Sequence, residues 1–124
     1  HSNARGACFH LRNLSDEMIR QLAERGGVTG INFCPSFLRE EEPAAKKAST
    51  MDMVRHMKYL RNVGGIDIIG LGTDFDGFSG ETDVPDTAHM QHLADVMSHD
   101  GFTDEEIEKV FSKNVLRVFR ECWK

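Results

Sequence analysis

The stretch Gly70-Leu71-Gly72-Thr73-Asp74-Phe75-Asp76-Gly77 constrains the chain most, because an apolar, β-branched run from Ile66 to Leu71 leads straight into two carboxylates framed by glycines. Such a run reads as a buried strand, and Gly72 and Gly77 let the backbone bend sharply around the acids. The acids then stand at the C-terminal end of a strand, where parallel α/β architectures gather their chemistry. The competing reading is a plain turn in which Asp74 and Asp76 only accept bonds from nearby backbone N–H groups. A calcium loop of the EF-hand kind is excluded. Counted from Asp74, position 5 is Phe78, position 6 is Ser79 and position 12 is Pro85, where that loop needs an oxygen ligand, a glycine and a glutamate.

The rest of the chain alternates helices with strands, the pattern of βα units around a parallel sheet. Ser15 caps a helix with Met18, Ile19, Leu22 and Ala23 on one face, ended by Gly26 and Gly27. Val28 to Phe33 reads as a buried strand. Cys34 to Ser49, with its Glu40-Glu41-Glu42-Pro43 run and Lys46-Lys47, reads as a long polar loop in a place where lids occur. Ser49 or Thr50 opens a helix with Met53, Val54, Met57 and Leu60 facing inward, closed by Gly64-Gly65. After the Ile66 to Leu71 strand comes a loop from Thr73 to Pro85. A third helix follows over Thr87 to His99, with Met90, Leu93, Ala94 and Met97 on one face. Thr103-Asp104-Glu105-Glu106 is a capping box for a last helical segment carrying Val115, Leu116, Val118, Phe119 and Trp123.

At 124 residues, 40% hydrophobic and 28% charged, the chain can bury a modest core. A formal net charge of -5 leaves no basic stripe to neutralise phosphates, so nucleic acid is not an expected partner. No run reaches the ~18 apolar residues of a membrane span. Cys8, Cys34 and Cys122 are odd in number, with no Cys-x-x-Cys pair, which fits a reducing compartment and argues against a thiolate zinc site. Each is read as a small buried apolar residue. His89 and His92 have metal-ligand spacing on a helix but no evident carboxylate beside them, and are read as surface histidines. Two αβ units and closing helices are too few for a closed barrel, which takes about 250 residues. Two parallel strands alone would also leave exposed edges. The chain is therefore expected to be the C-terminal half of a larger protein.

His1-Ser2-Asn3-Ala4-Arg5, Arg12-Asn13-Leu14, Gly30-Ile31-Asn32-Phe33, Asp74-Phe75-Asp76-Gly77 and Asn114-Val115-Leu116-Arg117-Val118-Phe119 follow one another in that order. Together they resemble the membrane (renal) dipeptidase family of zinc peptidases, its bacterial members in particular, over nearly the whole chain. The resemblance implies the C-terminal portion of a single (β/α)8 TIM barrel of the metal-dependent hydrolase type, entered at the end of its sixth strand. It also implies a two-zinc centre that hydrolyses dipeptides. His1 stands where the family has a zinc-ligating histidine, Arg12 matches the arginine that binds the substrate's free carboxylate, and Asp74 matches the catalytic aspartate after the eighth strand. The family's other ligands, a His-x-Asp pair, a bridging glutamate and a further histidine, are absent here, so this polypeptide by itself is expected to be inactive. A homodimer and a bacterial cytoplasmic location complete what the resemblance implies.

Residue chemistry is compatible with those roles. A neutral imidazole suits zinc, and a guanidinium offers a fork of donors that matches a carboxylate. Asp76 is assigned to loop structure. Two other readings stand beside the dipeptidase: a different amidohydrolase acting on a lactone, an acylated amino acid or a D-amino-acid dipeptide, and a metal-free binding protein on the same barrel.

Overall fold

Three helix starts in this chain are set by local side chains. The computed structural model describes residues 1–41 and 43–124, so the Glu42 of the acidic run lies outside the described residues. Helix α1 (Asp16–Glu24) begins where the Ser15 hydroxyl accepts the Met18 N–H, and the chain turns away at Gly26 with φ of 70°. Helix α3 (Thr50–Gly64) opens on a reciprocal box in which the Ser49 hydroxyl accepts the Asp52 N–H while the Asp52 carboxylate accepts the Ser49 N–H. Thr103 and Glu106 do the same for α5 (Asp104–Glu108). A single π turn over Lys109–Lys113 then carries the chain into α6 (Asn114–Cys122).

Strand β1 (Thr29–Ile31) pairs in parallel with β3 (Ile69–Leu71), setting Thr29 opposite Ile69, Gly30 opposite Gly70 and Ile31 opposite Leu71. Carbonyls alternate in direction along a strand. Accordingly the Gly30 carbonyl accepts the Ser2 N–H at 3.1 Å on one edge of β1, and the Ile31 carbonyl accepts the Gly72 N–H at 3.0 Å on the other. The opening residues of the chain thus flank β1 on the edge away from β3. Among the described residues β3 has no second strand partner.

Helix α3 is the centre of the core, with Met53, Val54, Met57 and Leu60 fully buried against α1, against α4 (Met90–His99) and against both strands. Each such side chain contributes roughly 1.5–3 kcal/mol. Ile19, Ile31, Phe33, Ile69, Leu93 and Met97 close around it. Mixed α/β is the fold class.

Several expectations are corrected. The Ile66 to Leu71 strand is a strand only from Ile69, and Ile66–Ile68 is a 3₁₀ turn. The bonding there is local: the Ile69 N–H turns back to the Ile66 carbonyl, and the buried Asn114 amide donates to the Ile66 and Ile69 carbonyls at 2.8 Å each, so Ile66 is satisfied within the turn and not across to β1. The Val28 to Phe33 strand is likewise paired only over Thr29–Ile31. The long polar loop holds a helical turn, α2 (Pro35–Leu38), and a short strand, β2 (Lys47–Ala48). Strand β2 pairs in parallel with β4 (Glu81–Thr82) in the loop after β3, so the segments following the two long strands are stitched to each other. The third helix starts with a 3₁₀ turn over Thr87–His89 and is α-helical from Met90. Leu116, Phe119 and Trp123 are exposed, because the side of α6 that meets the sheet is the one carrying Val115, whose methyl lies against Gly70; Met18 of α1 is exposed as well, while Ile19 beside it is buried.

Candidate active site

The strands β1 and β3 deliver their C-terminal ends side by side, and the chain narrows there to bare backbone. A Cβ on Gly72 would lie 2.8 Å from the His1 Cβ, so the glycine lets the first residue settle against the end of β3. Two residues on, Asp74 adopts φ of +60°, the left-handed region that a non-glycine residue enters at a cost of roughly 1–2 kcal/mol. Gly77 closes the turn by donating to the Asp74 carbonyl at 2.9 Å, and a Cβ there would collide with the Asp74 carboxylate. The left-handed backbone and the glycine packed on the carboxylate together fix the direction of the Asp74 side chain.

One buried amide joins two of the three predicted site residues, His1 and Asp74. Asn32 Nδ2 donates to Asp74 Oδ2 at 3.3 Å and lies 3.1 Å from His1 Nδ1. Its orientation follows from its other end, where Asn32 Oδ1 accepts the Cys34 N–H at 2.8 Å. The backbone of Asn32 is held by a second buried asparagine: Asn3 Oδ1 accepts its N–H at 2.8 Å, and Asn3 Nδ2 donates to its carbonyl at 2.9 Å. Sequence reasoning did not assign Asn32. The available signal was a polar residue at the end of an apolar strand, the same signal that singled out Asp74.

Arg12 lies elsewhere on this face, in the turn before α1, exposed and with its guanidinium 5.1 Å from the centre of the Phe37 ring. The His10 ring also packs on Phe37, at 4.6 Å. Arg5 steadies the turn by donating to the Asn13 and Leu11 carbonyls. Asn13 Nδ2 and Asn3 Nδ2 both reach the Phe37 carbonyl, at 2.9 and 3.5 Å. The platform under Arg12 is therefore tied to the same Asn3 that holds Asn32. Among the described residues Arg12 forms no ion pair, so its guanidinium is open to an anionic ligand.

The remaining sequence candidates separate cleanly. Asp76 is exposed, and its carboxylate makes no hydrogen bond among the described residues; the Asp74 carboxylate bonds a side chain. The plain-turn reading of the pair therefore fails. His89 and His92 each have a carboxylate after all, Asp86 at 2.7 Å and Asp83 at 3.3 Å, and the two exposed pairs do not converge. Cys8 and Cys34 are buried as expected, but Cys122 is exposed. The Cys8 thiol contacts the Ser36 carbonyl at 3.7 Å, and burial together with the Glu40 charge pushes its pKa up, which disfavours the thiolate. A cavity of about 640 Å³ beside this thiol, lined by His10, Ser36, Arg39 and Glu40 among others, includes none of His1, Arg12 or Asp74.

As metal donors, the described residues supply an imidazole and a carboxylate that share one amide nitrogen, and no set of three His, Cys, Asp or Glu side chains converges among them. These two groups fit part of a zinc ligand set. Because Asn32 presents an N–H to His1 Nδ1, the neutral ring carries its proton on Nε2. A metal bound through Nδ1 would replace that hydrogen bond.

A sequence model of the membrane dipeptidase family (peptidase family M19) matches residues 1–123. An uncharacterised protein of Klebsiella pneumoniae, encoded in the pqqA 5′ region, is 35% identical over 99% of this chain and 45% of its own length. Dipeptidase tcpJ of Claviceps purpurea is 33% identical over 98% of this chain and 28% of its own length. Among solved structures, a metallopeptidase of Rhodobacter sphaeroides, liganded with a phosphinate mimic of the dipeptide L-Ala-D-Ala, superposes with a TM-score of 0.89. It is 29% identical over 97% of this chain and 34% of its own. The dipeptidase AC, a metallopeptidase, gives a TM-score of 0.91 at 29% identity over 99% of this chain and 36% of its own. The chain thus spans less than half the length of these relatives. With the family model matching nearly its whole length, the chain belongs to the membrane dipeptidase family.

Proposed function

We propose that this chain is the C-terminal part of a (β/α)8 barrel that, in the whole protein, hydrolyses dipeptides with the help of zinc. The observation that carries the reading is the amide of Asn32, which holds an imidazole and a carboxylate together at the ends of two parallel strands. That is where a barrel of this kind keeps its active site. Among the described residues no strand pairs with the far edge of β3, and parallel strands are normally continued on both sides, which supports the barrel. The length of the relatives supports it as well.

In this reading His1 is one of the zinc ligands, and the other ligands come from upstream barrel strands. Zinc, when bound, supplies an activated water and polarises the peptide carbonyl. The residues of this chain do the rest. Arg12 holds the substrate's free carboxylate with charge-assisted hydrogen bonds worth roughly 1.5–3 kcal/mol. Asp74 takes a proton from the attacking water and delivers it to the leaving amine. Its carboxylate, fixed by strand end and amide, needs no reorientation between those two transfers.

The test is a panel of substrates offered to the full-length protein with and without zinc. Free dipeptides should be cleaved only with zinc, and the same dipeptides amidated at the C-terminus should be cleaved about one to two orders of magnitude less efficiently. Arg12→Lys should recover only part of what Arg12→Ala loses, because a point charge lacks the fork. Equal cleavage of free and amidated substrates would remove Arg12 from the site. Preference for a lactone or an acylated amino acid would move the protein to another amidohydrolase activity.

A further inference from the structure

We propose that Asn32 is a positioning residue for this site: its amide sets the direction of the Asp74 carboxylate and the tautomer of the His1 ring. The proposal rests on the dipeptidase reading above, and assigns a residue which that reading leaves without a role. Three observations carry it. The amide nitrogen has two hydrogens, and its two partners are Asp74 Oδ2 at 3.3 Å and His1 Nδ1 at 3.1 Å, so its donor capacity goes to two of the predicted site residues. The amide cannot flip at no cost, because Oδ1 is engaged by the Cys34 N–H at 2.8 Å. The backbone beneath it is clamped on both sides by the buried side chain of Asn3, which accepts its N–H at 2.8 Å and donates to its carbonyl at 2.9 Å, with a longer reach of 3.5 Å to the Phe37 carbonyl. A residue needed only for packing at the end of an apolar strand would be apolar, as Ile31 and Phe33 on either side of it are.

The consequence is directional. An Asp74 carboxylate with one oxygen on the amide keeps the other for the proton it must move. A His1 ring whose Nδ1 lone pair faces an N–H carries its own proton on Nε2 while no metal is bound.

Two substitutions and one control separate this role from packing. Asn32→Asp keeps the size and the acceptor for the Cys34 N–H but replaces the donor with an anion facing Asp74; Asn32→Ala removes both. The control is Asn114→Ala, another buried asparagine, at the start of α6, whose amide donates only to backbone carbonyls at the N-terminal end of β3. In the full-length zinc-loaded protein, kcat per folded molecule on a free dipeptide should fall about 10- to 100-fold in both Asn32 variants, with KM moving less than about threefold. Asn32→Asp should melt closer to the wild type than Asn32→Ala does. Asn114→Ala should lower the melting temperature and leave kcat within about twofold.

An independent reading comes from ¹⁵N spectra of the His1 ring in the metal-free full-length protein. The wild type should show the Nε2–H tautomer, and Asn32→Asp should shift the proton to Nδ1. The proposal is overturned if Asn32→Asp retains wild-type kcat, if Asn114→Ala loses kcat as much as the Asn32 variants do, or if the wild-type ring is protonated on Nδ1. Should neither Asn32 variant fold, the wild-type tautomer decides alone. A wild-type protein that cleaves no dipeptide sinks the dipeptidase reading instead, which the ring spectrum of the metal-free protein does not depend on.

Discussion

At the N-terminal end of β3 the buried amide of Asn114 donates to the Ile66 and Ile69 carbonyls and touches no charged group, whereas at the C-terminal end Asn32 gives its donors to an imidazole and a carboxylate. The same side chain thus serves opposite ends of one sheet in different ways. At the first end it satisfies backbone that would otherwise be buried without partners, which is a matter of stability. At the second end the backbone is satisfied by yet another residue, Asn3, and the amide is left to organise side chains. Strain follows the same division, since Asp74 is the non-glycine residue with positive φ among the described residues and it sits at the second end. One end of the sheet holds the fold together, and the other is held by it.

The sharpest way to break that contrast is Asp74→Asn in the full-length protein. Asparagine tolerates the left-handed region well and keeps the size of the side chain, so the turn should survive. It cannot accept the proton. Turnover should fall by about 10²–10⁴, the usual share of general acid–base catalysis, with the melting temperature and zinc content nearly unchanged. Near-normal turnover would dissolve the functional character of this end, and joint loss of zinc and turnover would make Asp74 a metal ligand.

A smaller effect, on stability, is expected from the scaffold. His56 in α3 is fully buried; its Nδ1 accepts the Ala4 N–H at 3.2 Å and its Nε2 lies 3.1 Å from the Leu38 carbonyl, so the neutral ring carries its proton on Nε2. Burial pushes its pKa from 6.5 down to about 4. The unfolded chain takes up a proton near pH 6.5 that the folded chain refuses until about 4, so this contribution is complete above that window and lost as pH falls through it. The loss amounts to about 3 kcal/mol by the lower limit. Denaturant unfolding at neutral pH and at the acid end of the window measures it, and His56→Gln should flatten the dependence. A pH profile that is the same with and without His56 would show that the ring tying the opening residues to α2 and α3 does not control acid stability.

What could be read from the sequence was local. Ser15, Ser49 and Thr103 cap helices because each bonds within three residues of itself, and Gly26 and Gly65 end helices because their φ values of 70° and 89° suit few other residues. Asp74 stood out because a carboxylate after an apolar strand is out of place unless it is used. What could not be read depends on partners far along the chain. The Asn3–Asn32 clamp joins residues 29 apart, and the Asn114 bonds to the carbonyls at the start of β3 span 45 and 48 residues. The β2–β4 pair, which turned an expected loop into stitched structure, likewise has no signal within either segment. His1 and Arg12 became candidates through the family resemblance; taken alone, a histidine and an exposed arginine before a helix carry little chemistry.

The smallest expected effect sharpens the comparison at its finest scale, between two carboxylates of one turn. Asp76 follows Asp74 by two residues, yet it is exposed and bonds nothing among the described residues, while the side chain of Asp74 is held by Asn32 and packed on by Gly77. Position after the strand is shared, so only the surroundings differ. Asp76→Asn should leave turnover within about twofold and change the unfolding free energy by less than about 0.5 kcal/mol, as for surface substitutions away from special features. Steady-state kinetics and a denaturant titration on the full-length protein check both numbers together. A loss of turnover in Asp76→Asn approaching that of Asp74→Asn would mean that the turn acts as a pair of acids, and that the left-handed backbone and the Asn32 contact do not by themselves mark the residue that moves the proton.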